Sequence, residues 1–186
     1  NTAPPAQLRT SSAMLVTRLS WDCDHSTIET LEIQPLGRSV GMRELETLKK
    51  WIDESRNIVF FGGAGVSTES GIPDFRGQGG LYGRKYAYPP EEMLSVGFFL
   101  RNPEAFYQFY REEVLCLAAE PNAAHRKLAE WEREGKLKAV VTQNIDGLHQ
   151  KAGSKRVYEL HGSVYKNRCT RCQRAFGVEA VAEVEG

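Results

Sequence analysis

A short apolar strand that runs directly into a glycine-rich turn constrains the fold of this chain more than any other feature. Residues 57–61 read NIVFF, a continuous apolar run typical of a strand buried on both faces of a parallel sheet. Residues 62–65 then read GGAG, and residues 66–70 can begin a helix. This order of strand, glycine turn and helix predicts an α/β fold.

Strand and helix patterns alternate along the rest of the chain. Apolar residues at helical spacing predict an amphipathic helix over residues 42–55, and an Asn-Pro start predicts a second helix over residues 103–119. A third helix is expected over residues 121–135, and buried strands are expected at residues 137–141 and 157–160. Because polar residues follow each strand, the sequence predicts a Rossmann-like parallel sheet with a ligand site at the carboxyl ends of its strands.

Two segments lack a steady period. Residues 1 to about 41 mix Pro, Ser and Thr with isolated apolar residues, and we expect a poorly structured extension there. Residues 71–90 are rich in Gly, Pro and Tyr, and a loop of this length is usually functional rather than a simple connection. The sequence therefore places a functional loop close behind the glycine turn.

The charge balance and the hydropathy argue against several classes of partner. The chain has 24 Lys plus Arg and 24 Asp plus Glu, so it lacks the basic excess that would neutralise a nucleic-acid backbone. No apolar run approaches the roughly 20 residues of a membrane-spanning helix, and the first residues do not follow the order of a signal peptide. We therefore expect a cytoplasmic protein that binds neither nucleic acid nor membrane.

The four cysteines fall into two kinds. Cys23 and Cys116 stand alone, whereas Cys169 and Cys172 form a C-x-x-C pair. In a reducing compartment such a pair indicates half of a zinc site or a redox dithiol. A closed structural zinc site needs four ligands, and neither Cys nor His follows Cys172 in the sequence. The spacing of the pair leaves both interpretations open.

Taken alone, the glycine turn is a weak signal. Backbone N–H groups in such a turn can approach a phosphate closely, but a tight turn without a ligand has the same pattern. Gly63 and Gly65 are followed by Thr68, where a dinucleotide fingerprint has its third glycine. The acidic residue expected at the end of a second strand about 20 positions later is also missing. An ordinary dehydrogenase is therefore disfavoured.

Three longer motifs carry a specific resemblance. Residues 63–77 read GAGVSTESGIPDFRG, residues 142–149 read TQNIDGLH and residues 159–163 read ELHGS. In this order, and followed by the C-x-x-C pair, they resemble the signatures of the sirtuin family over about residues 42–186. The resemblance implies an enzyme that uses NAD as a co-substrate and removes acetyl or other short acyl groups from protein lysines. The implied products are nicotinamide and O-acyl-ADP-ribose.

The resemblance also implies roles for individual residues. Phe75 and Arg76 match the loop that covers the nicotinamide ribose. Asn144 and Asp146 match residues of the nicotinamide pocket. His161 matches the general base, and Asn144 is the second residue that is expected to take part in catalysis. The residues that match NAD-contacting positions are Gly63, Ala64, Gly65, Thr68, Asp74, Phe75, Arg76, Gln143, Asn144, Ile145, Asp146 and His161.

Isolated histidines are more often structural than catalytic. We expect His125 and His149 to be structural residues of this kind. His161 differs because it ends a predicted strand at the ligand edge, where an imidazole can accept a hydroxyl proton near neutral pH. For Asp74 we expect turn capping in addition to its place in the functional loop.

The resemblance divides the chain into three parts. Residues 1–41 stay an unassigned extension, residues 42–163 match the N-terminal part of the NAD-binding domain, and residues 164–186 match the first half of a small zinc-ribbon and helical domain. Cys169 and Cys172 would then supply half of the ligands of a structural zinc. A redox dithiol is disfavoured because the pair does not open a thioredoxin-like βαβ unit. Since the family's C-terminal half would be missing, we expect this fragment alone to be inactive.

Two other functions fit these motifs in whole or in part. Protein ADP-ribosyl transfer would use the same displacement of nicotinamide, whereas a non-catalytic, truncated remnant would only bind a partner. For the deacylase, the implied partner is an acyl-lysine protein or peptide. The sequence names neither the target protein nor an oligomeric state.

One departure from the family bears on the acyl group. Tyr107 and Tyr110 occupy the positions of a Tyr-x-x-Arg pair that binds acidic acyl groups in some members of the family. Because the Arg is missing, we expect acetyl-lysine to be preferred over succinyl-lysine. Arg111 is the next residue after Tyr110, so an alignment that places this Arg at the last position of the Tyr-x-x-Arg pair stays open.

Overall fold

A five-stranded sheet is the main element of the computed structural model, which describes residues 14–22, 25–33, 42–77 and 79–183. The strands are β1 (Met14–Asp22), β2 (His25–Ile33), β3 (Ile58–Gly62), β4 (Leu137–Thr142) and β5 (Val157–Glu159). Their order across the sheet is β2-β1-β3-β4-β5. The last three strands are parallel to one another, which confirms the predicted α/β arrangement for this part of the sheet.

The register of the three parallel strands brings their carboxyl ends to one level. Gly62 of β3 pairs with Thr142 of β4, and Thr142 in turn pairs with Glu159 of β5. Phe60 and Val140 are buried on the face that packs against the helix Ala123–Arg133, whereas Val59 and Phe61, which point to the other face, are half-buried. The last residues of all three strands therefore lie side by side, at what we call the carboxyl edge of the sheet.

The first two strands differ from the sequence prediction. β1 pairs antiparallel with β2 along its whole length and also antiparallel with β3, where Leu15 lies opposite Phe61. The prediction of a poorly structured segment over residues 1–41 is therefore wrong for these two strands. The sheet is also mixed rather than wholly parallel. Backbone pairing joins the hairpin to the edge of β3, and residues 14–33 lack the continuous apolar run that marks β3 in the sequence. The other residues of this segment lie outside the described part: 1–13, 23–24 and 34–41.

Seven helices lie in the described residues. They are α1 (Met42–Glu54), α2 (Pro90–Met93), α3 (Val96–Arg101), α4 (Pro103–Phe109), α5 (Ala123–Arg133), α6 (Leu148–Lys151) and α7 (Glu179–Ala182). Within the described ranges, no helix combines the length and the apolar character needed to cross a membrane. The helices predicted over residues 42–55 and 121–135 are confirmed as α1 and α5.

Tighter and wider turns replace regular helix at two places. Ala64–Ser70 form a 3₁₀ helix, which ends at Gly71 with a φ of 83°. Tyr110–Val114 form a π-helical turn, in which the Leu115 N–H donates to the Tyr110 carbonyl at 3.0 Å. The helix predicted over residues 103–119 therefore ends early, because this wider turn does not continue into regular helix.

The main core lies between the sheet and α5. It is one cluster of buried side chains that consists of Ile58, Phe60, Leu128, Leu137 and Val140. Each such side chain contributes about 1.5–3 kcal/mol to stability by leaving water. The cluster extends from the amino ends of β3 and β4 to the middle of both strands and fixes their positions against α5.

A second cluster joins the long loop to helices α2, α3 and α4. Phe98 and Phe109 are buried in it. The Tyr86 ring meets Phe109 edge-on with centroids 5.1 Å apart, and the Tyr88 ring meets Phe98 at the same separation of 5.1 Å. The later half of the loop over residues 71–90 is thereby fastened to this helical layer.

Two histidines are buried side by side near the carboxyl edge. His125 of α5 and His149 of α6 have relative exposures of 0% and 1%, and their ring centroids are 4.7 Å apart. Burial and the neighbouring His125 lower the pKa of His149 from 6.5 to about 4, against an opposing effect of Asp146. Burial also lowers the pKa of His125. Both imidazoles are therefore neutral at neutral pH, in agreement with the structural role expected for them.

We predict that His149 makes the free energy of unfolding fall as the pH is lowered from 6.5 to about 4. In this range the unfolded chain binds a proton at His149 and the folded chain does not, so stability is lost as the pH falls. The shift corresponds to roughly 3 kcal/mol. Urea unfolding at a series of pH values measures the slope, and His149→Leu should flatten it. The same slope in this variant as in the parent would contradict the prediction.

Candidate functional site

Backbone hydrogen bonds at the carboxyl edge gather three segments of the chain. The Gln143 N–H donates to the Gly62 carbonyl at 3.0 Å, and the Leu160 N–H donates to the Thr142 carbonyl at 2.9 Å. These bonds continue the strand pairing into the residues that follow the strands. The glycine turn, the segment after β4 and His161 thereby come to the same edge, as the strand order predicts.

A buried network of side chains lies where these segments meet. The Ser67 hydroxyl donates to Asp146 Oδ2 at 2.6 Å. The Asn144 amide donates to Ser67 Oγ at 3.0 Å and to Asp146 Oδ2 at 3.3 Å, and the Leu148 N–H donates to Asp146 Oδ1 at 2.9 Å. Ser67 is fully buried. Because donors reach both oxygens of the carboxylate, its charge is stabilised and its orientation is fixed.

Ser67 is a site residue that sequence reasoning missed. It lies inside the glycine-rich motif, but its partner Asp146 is 79 positions further along the chain. A serine near a glycine turn also suits plain turn chemistry, so its type carried no specific signal. Its role becomes visible only when β3 and β4 are paired.

A first cavity, of about 570 Å³, runs along the glycine turn. Gly63 and Gly65 have no side chains that would keep a phosphate away from the backbone, and Arg76 adds a positive charge to the wall. Asn122 and Ala124, which the sequence did not single out, also line this cavity. The predicted residues in its walls are Gly63, Ala64, Gly65, Thr68, Asp74, Phe75, Arg76 and Gln143.

A second cavity, of about 490 Å³, adjoins the first one. The two cavities share Ala64, Phe75 and Gln143 in their walls. The remaining predicted residues line the second cavity, namely Asn144, Ile145, Asp146 and His161. The structure therefore brings every residue predicted to contact NAD into two adjoining cavities. Cys169 and Cys172 do not line either of them.

Asp74 holds the first part of the long loop in a tight turn. Its Oδ1 accepts from the Gly77 N–H at 2.7 Å, and its carbonyl accepts from the Leu81 N–H at 2.9 Å. Phe75 is 41% exposed, and its ring centroid lies 5.5 Å from that of Tyr82. The turn-capping role expected for Asp74 is confirmed, and the turn places Phe75 beside both cavities.

Neighbouring residues of the π-helical turn face different cavities. Tyr110 lines the second cavity, and burial raises the pKa of its phenol. Arg111 lines a separate cavity of about 590 Å³ together with Tyr107. Glu113 lines the second cavity and forms an ion pair of 2.7 Å with Arg84. Among the described residues in the walls of the second cavity, none is Lys or Arg.

The cysteine pair lies in a small hairpin of β6 (Asn167–Arg168) and β7 (Ala175–Phe176). The Cys169 N–H donates to the Arg174 carbonyl at 3.0 Å, and N–H groups of Cys172 and Arg171 lower the pKa of Cys169. Both thiols are free, and two thiols in a tight turn suit zinc. In the part of the chain that the structure describes, however, no cluster of three or more His, Cys, Asp or Glu could hold a metal.

Sequence comparison finds relatives with a named activity. A sequence model of the Sir2 family matches residues 63–185. The NAD-dependent protein deacetylase of Clostridium acetobutylicum is 58% identical over 144 residues, which cover 76% of this chain and 59% of that protein. The NAD-dependent protein deacylase 2 of Archaeoglobus fulgidus is 52% identical over 133 residues, which cover 72% of this chain and 51% of that protein. The chain thus spans 51–59% of the length of these two relatives.

Solved structures share the fold. One, described as the structural basis for the mechanism and regulation of Sir2 enzymes, has a TM-score of 0.68 and 46% identity, and the match covers 77% of this chain and 57% of that chain. A structure of Sir2 with a p53 peptide and NAD+ has a TM-score of 0.63 and 44% identity, and the match covers 73% of this chain and 53% of that chain. These matches confirm the predicted Rossmann-like fold.

Gly147 offers a test of the packing beside Asp146. It has a φ of 71°, and an added Cβ would lie 2.6 Å from Tyr165 Cε2. We predict that Gly147→Ala lowers the free energy of unfolding by about 1–3 kcal/mol, the left-handed strain plus the cost of displacing the exposed Tyr165 ring. Gly135→Ala is the matched control, because Gly135 has a φ of 74° and open space at its Cβ, so only the strain of about 1 kcal/mol applies. If urea unfolding showed the same loss of unfolding free energy in both variants, the close contact between residue 147 and Tyr165 would be contradicted.

Proposed function

Because this chain belongs to the Sir2 family, we propose that the protein is an NAD-dependent deacylase whose substrates are acetyl and other short acyl groups on protein lysines. The observation that carries the proposal is the junction of the two cavities, where the buried network around Asp146 adjoins the glycine turn and His161. The two relatives compared above are named as a deacetylase and a deacylase, and one solved relative holds a p53 peptide and NAD+. An acyl-lysine protein or peptide is the proposed partner.

The residues of the first cavity fit the phosphates of NAD. Gly63 and Gly65 leave the backbone of the turn open to a phosphate, and Arg76 can pair with its charge. Thr68 and Gln143 offer polar groups to the sugars from the same walls. When bound there, NAD supplies an electrophilic ribose carbon and a nicotinamide leaving group.

The residues of the second cavity are proposed to hold nicotinamide and to move a proton. Ser67 and Leu148 fix the Asp146 carboxylate, so that its remaining lone pairs can accept a carboxamide N–H in a preorganised direction. Asn144 lies beside it and is bonded to the same network. His161 is exposed in the same cavity, where its imidazole can accept a proton from a ribose hydroxyl.

We expect His161→Ala to reduce deacylation by about 10²–10⁴-fold in the full-length protein, because a general base is lost. NAD affinity should change little, since His161 lies outside the first cavity that would hold the phosphates. His161→Gln is the control for shape, because it keeps a polar side chain without a base, and it should be equally impaired. The measurements are kcat/KM on an acetyl-lysine peptide and the dissociation constant of NAD. Turnover within a few-fold of the parent would refute the role of His161.

We propose that uncharged acyl groups are preferred because of the charges around the second cavity. Glu113 and Asp146 both line it, and Arg84 is already paired with Glu113. Tyr110 faces this cavity at the position where a cation would be needed, whereas Arg111 faces another cavity. Because Glu113 occupies Arg84, a succinyl carboxylate would enter without a cationic partner and in the same cavity as the Asp146 carboxylate, which is strongly disfavoured.

We predict that kcat/KM for an acetyl-lysine peptide exceeds that for the matching succinyl-lysine peptide by at least about tenfold. Glu113→Gln should narrow this ratio, because Arg84 loses its carboxylate partner and becomes available to a succinyl carboxylate. Arg111→Ala is the matched control and should leave the ratio unchanged, since Arg111 lines a separate cavity. A preference for succinyl-lysine, or a ratio that depends on Arg111, would show that a cation does reach the acyl group.

We also propose that Cys169 and Cys172 supply two ligands of a structural zinc. The hairpin holds both thiols in one tight turn, and the lowered pKa of Cys169 favours the thiolate that zinc requires. A tetrahedral site needs four ligands, of which these two thiols would supply half. Free thiols of this kind suit a reducing compartment, so a cytoplasmic location is part of the proposal.

A further inference from the structure

Asn122 connects helix α5 to the glycine-rich turn through both ends of its amide. Its Oδ1 accepts from the N–H groups of Ala124 at 3.0 Å and His125 at 3.3 Å, so it caps the helix. Its Nδ2 donates to the Val66 carbonyl at 2.7 Å, across 56 positions of sequence. Asn122 has a relative exposure of 8%, so these bonds are shielded from water.

The two contacts together select the residue type at this position. Asp, Ser and Thr also cap helices, because each presents an oxygen to the first N–H groups of the helix. Aspartate has no donor for the Val66 carbonyl, and a single hydroxyl oxygen cannot span both ends of the amide. Among the residues that favour this cap, asparagine alone offers an acceptor and a donor that point in opposite directions.

The bond to Val66 bears directly on the network around Asp146. The Val66 carbonyl belongs to the same planar peptide unit as the Ser67 N–H. A bond that fixes this carbonyl therefore fixes the backbone from which the Ser67 side chain reaches Asp146 at 2.6 Å. Asn122 thus acts on the second cavity through the backbone of the turn, although it lines only the first cavity.

His125 supports Asn122 from the helix side. Its Nδ1 accepts from the Asn122 N–H at 3.3 Å and completes a capping box. The imidazole is fully buried, and burial lowers its pKa and so favours the neutral ring. The bond from the Asn122 N–H requires the tautomer in which Nδ1 is the acceptor. Asn122 is therefore held at its backbone as well as at its Oδ1, so its Nδ2 has a fixed direction toward Val66.

We propose that Asn122 is a positioning residue that clamps residues 64–70 in the arrangement in which the cofactor binds. The clamp consists of contacts within this chain, and its effect on NAD rests on the proposed function. Without the clamp, the turn would have to become ordered at the moment of binding, and that cost weakens the affinity.

Two substitutions separate the clamp from the helix cap. Asn122→Asp keeps the shape and the capping oxygen but loses the donor to Val66. Asn122→Ser keeps a neutral cap and also loses that bond, so a defect shared by both variants is not due to charge. Asn102 provides matched controls, because its Oδ1 caps α4 by accepting from the Ala105 N–H at 3.3 Å. Asn102→Asp and Asn102→Ser change an equivalent cap on another helix.

Two measurements test the variants. Hydrogen–deuterium exchange of residues 64–70 reports on the clamp without any cofactor, and calorimetry gives the dissociation constant of NAD. We expect both Asn122 variants to exchange faster over this segment and to bind NAD roughly three- to tenfold more weakly, as the loss of one hydrogen bond would cause. Both Asn102 variants should match the parent in both measurements.

Unchanged exchange over residues 64–70 in the Asn122 variants, or an equal increase in the Asn102 variants, would overturn the proposal. An NAD affinity equal to that of the parent in spite of faster exchange would overturn it as well. If the parent itself does not bind NAD, the proposed function fails, and the exchange measurement alone then decides whether Asn122 holds the turn.

Discussion

The parallel register of β3, β4 and β5 is the constraint on which the rest of the structure depends. It places Gly62, Thr142 and Glu159 side by side, so the polar segments that follow the strands meet at one edge. The buried cluster between these strands and α5 maintains the register, because a slip of one residue would turn Phe60 or Val140 away from α5. Hydrophobic packing therefore decides where the chemically active groups lie, although those groups are polar.

The site depends on a balance between burial and hydrogen bonding. A carboxylate that is partly removed from water is costly unless donors reach it. Asp146 receives bonds from Ser67, Asn144 and Leu148, which belong to two segments that only the sheet brings together. The bonds that stabilise its charge also fix its direction, and a fixed acceptor is what recognition of an amide group requires. Stability and function thus use the same contacts.

The sequence predicts those parts of the fold in which the side-chain pattern reflects the structure. The apolar runs of β3 and β4 are visible because nearly all of their side chains are at least half-buried. The β1–β2 hairpin is not visible, because its residues include no such apolar run. Ser67 and Asn122 escape detection because their partners lie 79 and 56 positions away. For His161 the motif implies the role, whereas the strand order predicts its place at the carboxyl edge.

The π-helical turn at Tyr110–Val114 holds one residue more than an α-helical turn would at the same place. Because the wider turn absorbs that residue locally, it changes the angular spacing of the side chains within the turn and leaves the helix before it in place. Tyr110 and Glu113 of this turn line the second cavity, whereas Arg111 lines a separate one. Deleting one residue would close the turn to α-helical spacing and change the angles between these three side chains, although none had been substituted. The charge that faces the proposed acyl site thus depends on the number of residues in the turn as well as on their types.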